Sequence, residues 1–160
     1  MNPLLQPFNT PFETVPFDKI STEHFLPAIE ASMQQAREQI DAIANHSEKP
    51  DFENTIVALE HAGEQLNTVA ETFFNLNSAE TSDEIQQLAR KISPMLTGFS
   101  NDILLNERLF KRIQVVYDQQ QTMELNTEQF TLLEKTYKRF ARNGARLNDG
   151  APEFRLALTT

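Results

Sequence analysis

The stretch PDFENTIVAL, residues 50–59, decides the fold class, because it predicts the start of a long helix. Asp51 can accept a backbone hydrogen bond as the N-cap, and Pro50 keeps the residue before it out of helical space. The apolar residues that follow recur at helical spacing, and they are Ile56, Leu59, Gly63, Leu66, Ala70 and Phe73, with Phe74 and Leu76 near the end. Because glycine costs about 1 kcal/mol within a helix, we expect Gly63 to admit another helix closely. The sequence predicts one helix from about Phe52 to Asn77.

Each further helix begins at a residue that can cap it. Ser21 or Thr22 caps a turn before the first helix, and Pro27 suits the first turn of that helix. Thr81 and Glu84 have the spacing of a capping box at the start of the third helix. The caps of the fourth and fifth helices are Asn106 and Asn126. These signals predict five helices that are joined by short connections.

Apolar stripes support the same helices. They consist of Ile29, Met33, Ala36, Ile40 and Ile43; Ile85, Leu88, Ile92, Leu96 and Phe99; Leu109, Phe110, Ile113, Val116 and Tyr117; and Phe130, Leu133, Tyr137 and Phe140. Pro94 predicts a kink in the third helix or a break into two helices. Asn143 and Gly144 predict a left-handed stop. We therefore expect an all-α protein, an antiparallel helical bundle or layered array of about five to six amphipathic helices.

The N-terminal segment, residues 1–20, carries four prolines between large apolar residues. Proline at this density forbids a helix and favours an extended path. The apolar residues between the prolines predict that this strap lies on an apolar surface, either of this domain or of a neighbouring one. The expected division is therefore a strap over 1–20 and a helical domain over 21–148.

Composition and charge exclude several classes of function. The chain of 160 residues has no cysteine, which excludes disulfides and thiol chemistry. Its formal net charge is −9, with 16 acidic and 5 basic residues in 1–106 and with 7 and 9 in 107–160. An acidic surface disfavours nucleic acid and anionic membranes. The basic residues Lys135, Lys138, Arg139, Arg142 and Arg146 form the one candidate cationic face, and we interpret it as a solvated helix side in preference to a binding patch.

The first ten residues lack the basic n-region and the continuous apolar core of a signal peptide, and no segment is apolar over the ~18 residues that a membrane span needs. We therefore expect a cytoplasmic protein. The twelve phenylalanines and two tyrosines occur at helical spacing, which is typical of a core. Because Phe73 and Phe74 are adjacent, they point about 100° apart, and one of them can reach a neighbouring helix.

The histidines are the candidate metal ligands. His61, with Glu60 and Glu64 close by on the second helix, has no second histidine in reach, so we interpret this group as a carboxylate-rich helix side. His24 is expected to be half-buried in a capped turn, and His46 to be in solvent. No nucleophile elbow or phosphate-binding loop occurs. We predict no catalytic, cofactor-binding or metal-binding residue.

Four phrases in order carry a family resemblance: PFDKISTEHFLPAIEASM (16–33), PDFENTIVALEHAGEQL (50–66), VAETFFNLNSAETSDE (69–84) and NDILLNERLFKRI (101–113). Over about residues 2–148 the chain resembles the N-terminal region of the M3 family of zinc metallopeptidases, in its peptidyl-dipeptidase and oligopeptidase branches. The resemblance implies a larger helical parent that encloses a channel and hydrolyses short peptides. In that family the zinc and the H-E-x-x-H glutamate are contributed by the C-terminal part.

The resemblance also implies the partners. The N-terminal helices would wall or cap the channel against the catalytic part of the same parent chain, with short peptides as substrates. Residues 149–160, DGAPEFRLALTT, depart from the polar, lysine-rich helix that the family predicts, so this tail is a candidate non-native segment.

Two hypotheses remain open. The chain is the N-terminal region of an M3 peptidase, inactive alone, or it is a stand-alone helical module that binds helices or peptides without catalysis. A reading frame that continues to H-E-x-x-H would favour the first, and a stop codon near residue 160 the second. A third, weaker hypothesis is chelator-sensitive hydrolysis by the chain alone. Apolar surface that faces an absent half would also promote self-association.

Overall fold

The computed structural model describes residues 1–10, 14–80 and 82–144, and helices dominate this part of the chain. The helices are α1 (Phe25–Ala44), a π-helix (Phe52–Val57), α2 (Ala58–His61), α3 (Glu64–Ala79), α4 (Asp83–Leu104), α5 (Glu107–Asp118) and α6 (Thr127–Gly144). Short 3₁₀ turns occur at Pro3–Leu5, Phe17–Lys19, Thr22–His24 and Gln120–Thr122. No strand occurs in these three ranges. The prediction of an all-α fold is confirmed.

Contacts between residues divide the chain into two compact units. Unit 1 comprises residues 1–39 and 63–99, and unit 2 comprises residues 40–62 and the chain from residue 100 onward. Each unit therefore combines two segments that are distant in sequence. The strap and domain boundaries expected from the sequence stay predictions.

Unit 1 is built around an aromatic cluster. Phe25 and Phe73 are fully buried, and their rings meet edge to face with centroids 5.1 Å apart. The adjacent Phe74 ring lies 5.2 Å from Phe73, also edge to face. The edge-to-face geometry is one that aromatic pairs favour. This cluster joins the start of α1 to α3.

The N-terminal strap belongs to unit 1 and packs against α3 and the turn before α1. Leu4 is fully buried, and its carbonyl accepts a hydrogen bond from Gln65 Nε2 at 2.8 Å. Asn2 Nδ2 donates to the carbonyl of His24 at 2.7 Å. The described residues of the strap contain no α-helix, and Pro3–Leu5 forms a short 3₁₀ turn. Proline fits the first position of a helical turn, where no N–H is needed.

Unit 2 is built from α5 and α6, which pack on each other and on the π-helix. Its buried side chains include Leu109, Ile113, Val116, Leu133 and Phe140. Phe130 was predicted in the same stripe, but it is 41% exposed. It lies in the first turn of α6, before the buried part of that helix begins at Leu133. The prediction of Phe130 as a core residue was wrong.

The structure confirms the helix caps predicted at Asp51, Asn106 and Asn126. The Asp51 carboxylate accepts from the Asn54 N–H at 2.7 Å. Asn106 Oδ1 accepts from the Leu109 N–H at 3.0 Å, and Asn126 Oδ1 accepts from the Gln129 N–H at 2.9 Å. Thr81 lies outside the described residues, and Ser82 Oγ accepts from the Ile85 N–H at 3.2 Å. The predicted stop at Asn143 and Gly144 is at the border of the described residues and stays a prediction.

The third predicted helix does not break at its proline. Helix α4 runs continuously from Asp83 to Leu104 with Pro94 inside it. Pro94 is exposed, so water can reach the carbonyl that loses its intrahelical partner. The prediction of a break was wrong, and the predicted kink stays a prediction.

The long second helix, in contrast, is interrupted. Ala62 has extended backbone (ψ 121°), and Gly63 has φ 86°, in the left-handed region. The Gly63 N–H donates to Gln39 Oε1 at 3.0 Å. A Cβ built on Gly63 would lie 3.6 Å from the Ala36 Cβ, an ordinary contact. The expected continuous helix from Phe52 to Asn77 was wrong. Helix α1 does lie against Gly63, but a Cβ would fit there, so the glycine is needed for its backbone conformation and not for space.

Gly63, beside α3, and Gly98, inside α4, are expected to respond oppositely to alanine. Gly63→Ala forces a Cβ into the left-handed region and is expected to destabilise the protein by about 1–2 kcal/mol. Gly98→Ala, inside α4 with no atom within 4 Å of the added Cβ, is expected to stabilise it by about 0.5–1 kcal/mol. Urea unfolding followed by circular dichroism measures both. Equal effects of the same sign would contradict this account.

Candidate functional site

The three histidines lie in different surroundings. His24 is half-buried in the turn before α1, where its Nδ1 accepts from the Ser21 N–H at 3.0 Å. His46 is exposed, and its Nδ1 accepts from the Glu48 N–H at 3.3 Å. The predicted surroundings of both are confirmed. In each case a ring nitrogen holds a turn of the backbone.

The group around His61 is not arranged as the sequence suggested. Glu60 and His61 end α2, whereas Glu64 begins α3 after the break at Gly63. The three side chains therefore do not share one continuous helix face. Within residues 1–10, 14–80 and 82–144, no three histidine or carboxylate side chains form a group that could hold a metal ion. The residues of this part of the chain do not fit a zinc site.

Arg112 is a buried charged side chain of unit 2, with only 7% of its surface exposed. Its Nη1 donates to the carbonyls of His46 and Glu48, at 2.9 and 3.1 Å, and its Nη2 donates to Asn54 Oδ1 at 2.9 Å. All three acceptors are uncharged. The buried guanidinium thus fixes the loop that precedes the π-helix.

Asn54 is the second centre of this arrangement. Its Oδ1 also accepts from the Asp51 N–H at 3.0 Å and from Thr55 Oγ1 at 2.9 Å, while its Nδ2 donates to the Lys49 carbonyl at 2.9 Å. The opening motif that the sequence singled out is therefore a hydrogen-bonded junction between loop and helix.

The sequence analysis missed Arg112, although its spacing from Leu109 and Val116 places it on the buried face of α5.

A stack of three aromatic rings lies between α5 and α6. The Tyr117 and Tyr137 rings are nearly parallel with centroids 3.9 Å apart, and Phe110 stacks on Tyr137 at 5.9 Å. Burial raises the pKa of the Tyr137 hydroxyl, and the neighbouring Asp118 and Tyr117 add to this. A raised pKa keeps this hydroxyl neutral, which suits a packing role.

A groove of about 520 Å³ opens on unit 1, between the strap and α3. The strap contributes Pro7, Phe8, Asn9, Val15 and Phe17, and α3 contributes Thr68, Glu71, Thr72 and Asn75. One wall is thus mainly apolar and aromatic, and the other is polar with one carboxylate. The volume is in the range of ordinary ligand sites.

The predicted cationic face of α6 is exposed at Lys135, Lys138, Arg139 and Arg142, and Arg146 lies outside the described residues. Lys138 Nζ pairs with Glu134 at 2.9 Å along the helix. Such an exposed pair is typical of a solvated helix side. Among the described helices, none is both long and apolar enough to cross a membrane.

Comparison with known proteins relates the chain to peptidases. It is 41% identical over 147 residues to dipeptidyl carboxypeptidase of Escherichia coli (strain K12). The matched residues make up 92% of this chain and 22% of that protein. It is 40% identical over 146 residues to dipeptidyl carboxypeptidase of Salmonella typhimurium, covering 91% of this chain and 22% of that protein. The chain is 28% identical to oligopeptidase A of Escherichia coli over 143 residues. This match covers 89% of this chain and 20% of that protein.

The matched segment is the N-terminal part of these relatives, so the chain spans about a fifth of their length. No protein-family model matches the chain. The similarity covers both units and the loop that Arg112 holds, since it extends over nearly the whole chain.

Proposed function

We propose, from its similarity to the N-terminal part of M3-family peptidases, that this chain is the N-terminal helical region of a zinc peptidase that acts on short peptides. The single observation that supports this is 41% identity to a dipeptidyl carboxypeptidase across 92% of the chain. By that relative's name, the reaction of the parent is release of dipeptides from the C-terminus. Another relative, from Arabidopsis thaliana, is named a probable cytosolic oligopeptidase A, which supports a cytoplasmic location.

We further propose that this region walls or caps the substrate channel of the parent. The packed all-α units suit that role, because a rigid helical wall can admit an extended peptide and exclude a folded protein. The zinc ion and its general base would come from the catalytic part of the parent. Since no residue group described here fits a zinc ion, we assign no catalytic step to this chain.

The gene downstream of this segment provides the test. We expect the reading frame to continue into a segment with H-E-x-x-H, and the full-length product to release C-terminal dipeptides from short peptides in a chelator-sensitive manner. The 160-residue chain, assayed with added zinc and the same peptides, is expected to show no turnover. A stop codon near residue 160 would contradict the proposal and favour a stand-alone interaction module. Chelator-sensitive turnover by the short chain would contradict the proposal that the catalytic residues lie outside it.

The proposed channel role has a separate readout. In the full-length enzyme, deletion of residues 1–144 is expected to abolish discrimination between a short peptide and the same peptide displayed in a loop of a folded protein. Unchanged discrimination in an active deletion variant would overturn the channel role and leave the peptidase assignment intact.

A further inference from the structure

We propose that the groove of unit 1 is a binding site for a basic side chain of a peptide, with arginine preferred to lysine. The proposal deepens the proposed function, on which it rests for the peptide nature of the ligand. The described residues that line the groove all belong to unit 1, to the strap and to helix α3.

The charge of the groove selects a cation. Among the described residues that line the groove, Glu71 is the one ionisable side chain, and it is exposed. Within the described part of the chain, neither the Glu71 carboxylate nor the Asn75 amide has a hydrogen-bond or ion-pair partner. The two side chains are four residues apart, so they project from the same face of α3. An unpaired carboxylate beside a free amide oxygen is a suitable acceptor pair for a guanidinium.

The threonines on the same face of α3 favour a ligand that donates hydrogen bonds. Thr68 Oγ1 donates to the Glu64 carbonyl at 3.0 Å, and Thr72 Oγ1 donates to the Thr68 carbonyl at 2.7 Å. Because each hydroxyl proton is already used, the oxygens that remain can only accept hydrogen bonds. The polar wall of the groove therefore offers acceptors, and a ligand rich in N–H donors complements it.

The opposite wall suits the flat apolar face of a guanidinium. Phe17 is 52% exposed, which is unusual for a phenylalanine, and Phe8 is half-buried. Arginine stacks on aromatic rings while its edge donates hydrogen bonds, whereas lysine is a compact and more strongly hydrated charge. This is the reason for the preference of arginine over lysine.

The net negative charge of unit 1 also favours a positively charged ligand. Unit 1 contains 10 acidic and 4 basic residues, and the whole chain has a formal charge of −9. An acidic unit raises the local concentration of a basic peptide. Charge, hydrogen-bond acceptors and an exposed aromatic ring thus favour the same occupant.

Fluorescence anisotropy on the 160-residue chain tests the inference, with a fluorescein-labelled Gly-Arg-Gly-Arg-Gly peptide at low salt. The matched probe replaces both arginines with citrulline, which keeps the shape and removes the charge. We expect the arginine peptide to bind about tenfold more tightly, as an exposed ion pair together with a cation–π contact implies. Glu71→Gln is expected to weaken its binding about threefold, and Phe17→Ala about twofold to threefold. Neither change should alter citrulline-peptide binding by as much.

Glu30→Gln is the control, because Glu30 is an exposed carboxylate of α1 that does not line the groove. It changes the net charge equally and is expected to leave binding unchanged. Equal affinity for the two peptides, no measurable binding, or equal losses in the Glu30 and Glu71 variants would overturn the proposal. A parent that proves not to be a peptidase would leave this binding result unaffected, so the two proposals fail separately.

Discussion

Replacement of Arg112 by methionine is expected to lower the free energy of unfolding by about 2–4 kcal/mol. Methionine retains much of the buried volume but removes three hydrogen bonds, those to the carbonyls of His46 and Glu48 and to Asn54 Oδ1. Hydrogen bonds to a charged group contribute more than neutral ones, and acceptors left without a partner in a partly buried site are costly. Urea unfolding monitored by far-UV circular dichroism measures the loss.

Arg108→Met is the matched control, because it makes the same chemical change one turn earlier on α5. Arg108 is exposed and donates one hydrogen bond, to Asn45 Oδ1 at 2.8 Å. Its replacement is expected to lower the free energy of unfolding by less than about 1 kcal/mol. Similar losses in the two variants would show that burial of Arg112 has no particular importance.

A double-mutant cycle tests whether Asn54 is a partner through which Arg112 stabilises the protein. Asn54→Ala removes an Arg112 acceptor together with the hydrogen bond that Asn54 accepts from the Asp51 N–H. We expect Arg112→Met and Asn54→Ala to be coupled by about 1 kcal/mol or more, since both act on the same junction. Strict additivity would indicate that the guanidinium acts through the backbone carbonyls alone.

Replacement of Phe73 by alanine is expected to destabilise unit 1 by about 3–5 kcal/mol. The Phe73 ring has no exposed surface and contacts both Phe25 and Phe74 edge to face. Its removal leaves a cavity where α1 and α3 meet, in addition to the lost burial of apolar surface. Urea unfolding again measures the effect, and loss of the near-UV signal from the remaining aromatic rings would accompany it.

Phe130→Ala provides the comparison for the same substitution. Phe130 is 41% exposed, so its truncation is expected to change the free energy of unfolding by less than about 1 kcal/mol. The sequence pattern alone ranks both phenylalanines as core residues. Comparable losses at the two sites would therefore support the sequence interpretation against the structure.

Local signals predicted the helices well. The N-caps Asp51, Asn106 and Asn126, the buried stripe of α5 and that of α6 from Leu133 onward are where their spacing places them. These features depend on residues within four positions of each other, so a single sequence contains the information. The turn at His24 was predictable for the same reason.

The errors concern features that depend on distant residues. Gly63 has a partner in Gln39, and nothing in the flanking residues indicates whether a glycine interrupts a helix or lies within it. Pro94 is tolerated because it is exposed, and exposure is a property of the packed chain. The groove likewise requires the strap and α3, which are some fifty residues apart, to meet.

The sequence by itself determined the all-α class, the helix starts at Asp51, Asn106 and Asn126 and the similarity to peptidases, because periodicity, caps and shared phrases are written in consecutive residues. The tertiary structure decided the break at Gly63, the burial of Arg112 and the walls of the groove. Each of these is set by contacts between segments far apart in the chain, and the free energy of such contacts appears only after the chain has packed.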